Sequence, residues 1–193
     1  PRIGGGERRY LMIERAAVFG GIGIWAPIYE GYEGVPEARR GLLYPLALGV
    51  SRWDGTIGFP GGGVEEGEGL LDALRRELLE EIGYSLPDSG VEMISHDYRG
   101  MRLHFLVPAP LVLSRKELRR ILSDAALAQH SLAEGTVTLL HLADYGRGRG
   151  LSTLVRKGAL APRVREELEF LAVRMNADRP ENGVVIEPSW MRP

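Results

Sequence analysis

Cysteine is absent from these 193 residues, which excludes disulfides and thiolate metal ligands and fits a reducing compartment. Any metal must therefore find oxygen or imidazole ligands. Imidazole is scarce too. The four histidines are His96, His104, His130 and His141, with none before residue 96, and each reads more readily as structural or exposed than as catalytic. No apolar run reaches the ~20 residues that a membrane-spanning helix needs, because Arg, Glu, Gly or Pro interrupts every hydrophobic segment, so no membrane partner is expected. The net charge is only −2. Nothing in the overall field draws such a chain to nucleic acid, and an RNA or nucleotide partner would need a local basic patch. Lysine is nearly missing, standing only at Lys116 and Lys157. Arginine suits bidentate phosphate contacts, but a GC-rich genome produces the same bias.

What is present suffices for one sizeable core, at 44% hydrophobic content. A single domain over 1–193 is expected, its core at about 10–176 and an irregular tail at 177–193 with three prolines after Asp178 and Trp190. Ala16 to Tyr29 is β-rich and broken by Gly20, Gly21 and Gly23, which suits a strand closely approached by another backbone. Leu42 to Arg52 is a second strand, ending at the turn signal Asp54-Gly55, and Thr56 to Phe59 continues extended. Pro60-Gly61-Gly62-Gly63 predicts a loop without regular structure.

The spacing then predicts a helix over Leu70 to Ile82, with Leu70, Leu71, Leu74, Leu78 and Ile82 on its apolar stripe and Gly83 as its stop. Further strands are expected at Val91 to Tyr98, Met101 to Val107 and Thr136 to Leu142. Ser114 to Glu117 reads as a capping box opening a helix to about Gln129. After a Gly-Arg loop at 146–150 and a short helical segment, a last helix opens with Pro162 in its first turn and runs to about Met175. Mixed strands and three main helices predict an α/β sandwich.

Glu77, Glu80 and Glu81 stand at i, i+3 and i+4, so their carboxylates share one side of the predicted helix. Such a cluster repels itself unless a cation compensates, and oxygen-only ligands suit a hard ion such as Mg²⁺ or Mn²⁺. Arg76 is placed to orient one of these carboxylates through Glu80 or another acidic neighbour. The glycines ahead of the helix let backbone approach a phosphate or a metal. A Glu triplet alone is more often a solvated helix face. The full spacing decides otherwise: Gly62, Glu68, Arg76, Glu77, Glu80, Glu81 and Gly83 fit the pattern G-x5-E-x7-R-E-U-x-E-E-x-G-U, with U a bulky aliphatic. Seven such matches at one start arise by chance with a probability on the order of 10⁻⁷. Leu78 fills the inner U, and Tyr84 stands in for the last one.

This pattern is the Nudix box, and the chain is identified as resembling the Nudix hydrolases. Arg52-Trp53-Asp54-Gly55, Gly58-Phe59-Pro60-Gly61-Gly62, His104-Phe105 and the closing helix are similar to the snoRNA-decapping, inosine-diphosphatase branch, type sixteen. The resemblance implies an α/β/α sandwich around a mixed β-sheet. It implies two or three Mg²⁺ or Mn²⁺ ions on Glu77, Glu80 and Glu81, helped by backbone near Gly61 and Gly62, with Glu80 a ligand or general base and Glu134 a further carboxylate. Arg52 and Phe59 would hold the base, with Gly62 and Gly63 along the substrate. The branch carries a base-contacting His in its first strand, where this chain has glycines, so its purine preference does not transfer.

The activity implied is phosphoanhydride hydrolysis at a capped or triphosphorylated RNA 5′ end, leaving a 5′-monophosphate. The alternatives are hydrolysis of free nucleoside di- or triphosphates and a module that binds RNA ends in a processing complex. Intact Arg76, Glu77, Glu80 and Glu81 argue against the last. The Gly-Arg loop and Arg115, Lys116, Arg119 and Arg120 are candidate RNA contacts, or equally a solvated surface. A homodimer or RNA-processing partners, and an intracellular location in nucleus or cytoplasm, are implied by the same likeness. Because the sequence opens at Pro1 rather than Met, a mitochondrial matrix location is expected if a presequence has been removed.

Overall fold

Apolar residues in the central strands alternate between two faces, and each face is covered by helices. The computed structural model describes residues 16–29, 36–96, 102–106, 111–127, 136–143 and 151–187. The strands are β1 (Ala17–Gly21), β2 (Gly23–Ala26), β3 (Tyr44–Ser51), β4 (Ile57–Gly58), β5 (Gly61–Gly63), β6 (Glu92–His96), β7 (Arg102–Leu106), β8 (Leu111–Val112) and β9 (Val137–His141). The helices are α1 (Leu70–Ile82), α2 (Arg115–Leu127), α3 (Leu151–Arg156) and α4 (Val164–Ala177).

Val18, Ile24, Leu46, Leu48 and Val50 pack with Leu74, Leu78 and Ile82 of α1 and with Leu118 and Ala125 of α2. Their neighbours Phe19, Trp25 and Ala47 turn the other way, against Leu151 of α3 and Leu168, Leu171 and Met175 of α4. Period-two alternation between two apolar layers is what an α/β/α sandwich requires. Each of Leu74, Leu78 and Ile82, buried to within 1%, contributes about 1.5–3 kcal/mol of transfer free energy.

Two mixed sheets form the middle layer, rather than the single sheet expected. One has the order β5-β1-β7-β6 and the other β4-β3-β2-β8, with β9 also on β3. The division falls at Ile22. β1 pairs with β5 and β7, whereas β2 pairs with β3 and β8, so the expected first strand is two strands in two sheets. Its glycines make room for helices, not for another backbone: a Cβ on Gly20 would lie 3.1 Å from Leu78 Cδ2, and one on Gly23 would lie 2.9 Å from Met175 Sδ. This close seating fixes α1 against β1.

Three other expectations are corrected. Gly61–Gly63 is a strand, antiparallel to β1 in the register Ala17↔Gly63, Val18↔Gly62 and Phe19↔Gly61. Ladder hydrogen bonds need no side chains, so a glycine run can pair where its neighbour supplies the partners. On α1 the buried set is Ala73, Leu74, Leu78, Glu81 and Ile82, while Leu70 and Leu71 in the first turn are 40% exposed. The last helix begins at Val164, after Pro162, because Arg163 at its N-cap is left-handed at φ 69°.

The caps follow the sequence. Ser114 Oγ accepts from Glu117 N–H at 3.3 Å, and Glu117 Oε2 accepts from Ser114 N–H at 2.8 Å, the reciprocal pairing of a capping box. Gly83 is left-handed at φ 65°, and the N–H groups of Gly83 and Tyr84 bond to the carbonyls of Leu79 and Leu78. The tail through Glu187 is irregular and packs on its own domain: Ile186 is buried, and Asn176 holds its backbone N–H and C=O through two 3.0 Å bonds.

Candidate active site

Pairing of β5 with β1 puts the glycine edge directly beside α1. Gly61 N–H donates to Glu81 Oε2 at 2.7 Å, which fixes a carboxylate that is 5% exposed. Glu77 lies against Gly62 so closely that a Cβ there would stand 2.6 Å from its carboxyl carbon. Strand and helix are thus joined through Glu81 and Glu77.

Arg76 organises the outer side of the same helix. Its Nε and Nη2 donate to the two oxygens of Glu68, both at 3.0 Å, and Nη2 also donates to Gly63 O at 2.8 Å. Its Nη1 donates to Glu77 Oε1 at 2.8 Å and to Glu80 Oε2 at 3.4 Å. Hydrogen bonds from Arg76 and from Glu65 N–H hold the Glu68 carboxyl below its ordinary range, and the same Glu68 bond heads the causes that raise Arg76. A planar fork is what this dual role needs. The sequence left the partner open between Glu80 and another acidic neighbour, and Arg76 meets both. Glu68 is the bidentate partner, and its fixed position in the spacing pattern was the available signal.

A cleft of about 250 Å³ opens over this edge, lined by Phe19, Arg52, Trp53, Phe59, Gly61–Gly63 and Glu81 among others. The structure therefore brings together six of the predicted site residues, Arg52, Phe59, Gly61, Gly62, Gly63 and Glu81. Glu77 packs behind Gly62, and Glu80 faces outward onto Arg76. Phe19 and Trp53 are additions that sequence reasoning missed, although strand alternation already separated Phe19 from Val18. Glu134, His130, Trp190 and the Gly-Arg loop lie outside the described residues.

The spacing of the helix acids, their seating on a glycine strand and the cleft above them coincide with a family match: the model of the NUDIX domain family covers residues 39–119. The likeness to the NUDIX domain lies within those residues. It is 36% identical over 114 residues to a U8 snoRNA-decapping enzyme of Homalodisca vitripennis, covering 55% of this chain and 57% of that one. It is 35% identical over 94 residues to a U8 snoRNA-decapping enzyme of Xenopus laevis, covering 44% and 42%. The chain thus spans about half the length of these curated relatives. Among solved structures, a mutT/nudix family protein from Listeria innocua aligns over 82% of this chain and 93% of its own at 18% identity, with a TM-score of 0.45.

NUDIX domains use divalent ions such as Mg²⁺ or Mn²⁺, and the donors here fit one. Glu68, Glu77 and Glu80 share the single guanidinium of Arg76, so this cluster stays negative even before Glu81 is counted. Among the described residues no three carboxylate or imidazole groups converge as a closed metal cage.

A second cavity of about 30 Å³ adjoins the cleft and shares Phe19, Arg52 and Phe59 with it. Its floor is a buried pair: His104 Nδ1 lies 2.9 Å from Glu167 Oε1, and the His104 ring stacks on Phe19 with centroids 5.0 Å apart. Burial raises the Glu167 carboxyl above its ordinary value, with His104 and Arg163 drawing it partly back and Glu166 adding to the rise. The folded protein therefore keeps this proton after the unfolded chain has lost it. The associated stability is complete below the unfolded carboxyl's pKa, about 4.3, and is lost as pH rises through the folded value. Thermal melts of Glu167→Gln against wild type should show the variant gaining relative stability as pH rises from 4 to 8. A difference independent of pH would contradict this.

Proposed function

We propose that this cleft hydrolyses a phosphoanhydride at a capped or triphosphorylated RNA 5′ end. The observation carrying the reading is the Glu81 carboxylate, buried at the cleft wall and fixed by Gly61 N–H, beside Glu77 and Gly62. The names of both curated relatives, U8 snoRNA-decapping enzymes, support RNA as the substrate.

In this reading Glu77, Glu80 and Glu81 hold Mg²⁺ or Mn²⁺, and Arg76 positions Glu77 and Glu80. Bound metal supplies charge neutralisation on the phosphate oxygens and acidifies water. Gly62 and Gly63 present a side-chain-free edge along which a diphosphate can lie, while Phe59 and Arg52 meet the base. Arg52 lines the cleft, with its Nε 3.9 Å from Asp54 Oδ2. Water attacks one phosphorus, the anhydride P–O bond breaks, and the leaving phosphate keeps the electron pair. A 5′-monophosphate stays on the RNA, and the reaction belongs where RNA ends are processed, in nucleus or cytoplasm.

The cleft's small volume favours a second reading, hydrolysis of free nucleoside di- or triphosphates. Competition decides between them: labelled 5′-capped RNA is incubated with excess free nucleotide, and products are resolved. RNA cleavage that persists supports the RNA-end enzyme, whereas suppression at micromolar nucleotide supports the alternative.

A further inference from the structure

The cleft, at about 250 Å³, is smaller than the ~300–1,000 Å³ of pockets that enclose a drug-sized ligand. It has no room for a second nucleotide beside the one being cleaved. If RNA is the substrate, the next nucleotide must cross the rim. At that rim stands Trp53, 90% exposed and yet part of the cleft lining.

The turn that carries it is hydrogen-bonded on both sides of Trp53. Arg52 N–H donates to Thr56 O at 2.7 Å and Gly55 N–H to Arg52 O at 3.0 Å. Asp54 Oδ1 accepts from Thr56 N–H at 2.9 Å and from its hydroxyl at 2.6 Å. Those bonds draw the Asp54 carboxyl below its ordinary range. The turn therefore presents an indole on a fixed platform, next to the Arg52 that enters the cleft. A large aromatic ring open to solvent on an ordered turn is the form a base-stacking platform takes, and stacking tolerates any base because each has a π face.

We propose that Trp53 stacks on the nucleobase adjoining the cleaved 5′ end, and so makes the enzyme prefer RNA to free nucleotide. This rests on the RNA-end reading above. The ligand class is a single-stranded oligonucleotide bearing a 5′ cap or triphosphate. The effect should fall on KM for RNA, since the stacked base lies outside the bond being cut.

The test measures kinetics of wild type, Trp53→Ala and Trp53→Phe on a capped tetranucleotide and on the matching free nucleoside diphosphate. For Trp53→Ala the kcat/KM ratio of RNA to nucleotide should fall about tenfold, the order expected for one stacked base, almost all through KM. Trp53→Phe should recover most of it. Equal loss on both substrates would show a structural role and overturn the proposal, as would an unchanged ratio. Wild-type protein that neither binds nor cleaves the oligonucleotide while hydrolysing the nucleotide would overturn the RNA-end reading itself, and this inference with it.

Discussion

Glu81→Gln should reduce kcat by roughly 10²–10⁴-fold, the range for removing a group that handles charge or protons at the reacting centre, on RNA ends and free nucleotides alike. The amide keeps the side chain's shape and an oxygen that can still accept from Gly61 N–H, now 2.7 Å from Glu81 Oε2. What disappears is the negative charge. Exchanging a charged for a neutral acceptor costs about 1 kcal/mol of stability, so the variant should fold. Activity should also need more Mg²⁺ for half-saturation. Steady-state assays across a Mg²⁺ titration check both expectations, and a kcat within threefold of wild type would contradict the assignment.

Gly62→Ala and Gly61→Ala, adjacent and chemically identical, should fail for different reasons. At Gly62 the new methyl would stand 2.6 Å from the Glu77 carboxyl carbon and Oε1. A side-chain end can move aside, so the protein should fold while Glu77 is displaced, and a misplacement of about 1 Å can cost on the order of 10² in rate. At Gly61 the methyl would stand 2.0 Å from the Val18 carbonyl oxygen and 2.7 Å from Phe19 Cα, at φ +145°. Backbone cannot yield there without breaking the β1–β5 pairing, and the cost should be on the order of 4 kcal/mol or more, as for the most disruptive substitutions. Thermal melts together with activity separate the two. A Gly61→Ala protein melting within a few degrees of wild type would contradict the described pairing.

The sequence made α1 legible because independent signals agreed: the leucine period, the glycine stop and the acid spacing all give Leu70 to Ile82. It did not show Glu81 buried, because a carboxylate reads as solvent-facing unless a specific donor is known, and that donor, Gly61 N–H, comes from a strand that glycines conceal. With no side chains to alternate, Gly61–Gly63 offers no period of two. The break between β1 and β2 was hidden for the opposite reason, since apolar residues run straight through Ile22 while the hydrogen-bond partners change. Arg52 and Phe59 were placed by resemblance, and the cleft joins them to Glu81. The His104–Glu167 pair had no sequence signal, because only the packing of α4 against β7 brings them together.

We propose that Glu77, Glu80 and Glu81 beside Gly61–Gly63 form a metal-dependent phosphoanhydride hydrolase. The most direct measurement follows product release from 5′-triphosphate and capped RNA after chelation with EDTA and again after Mg²⁺ is restored. No cleavage should occur without metal, activity should recover fully with it, and the product should be a 5′-monophosphate RNA. Cleavage undiminished by EDTA, or none of either RNA or any free nucleotide with Mg²⁺ or Mn²⁺ present, would contradict this proposal.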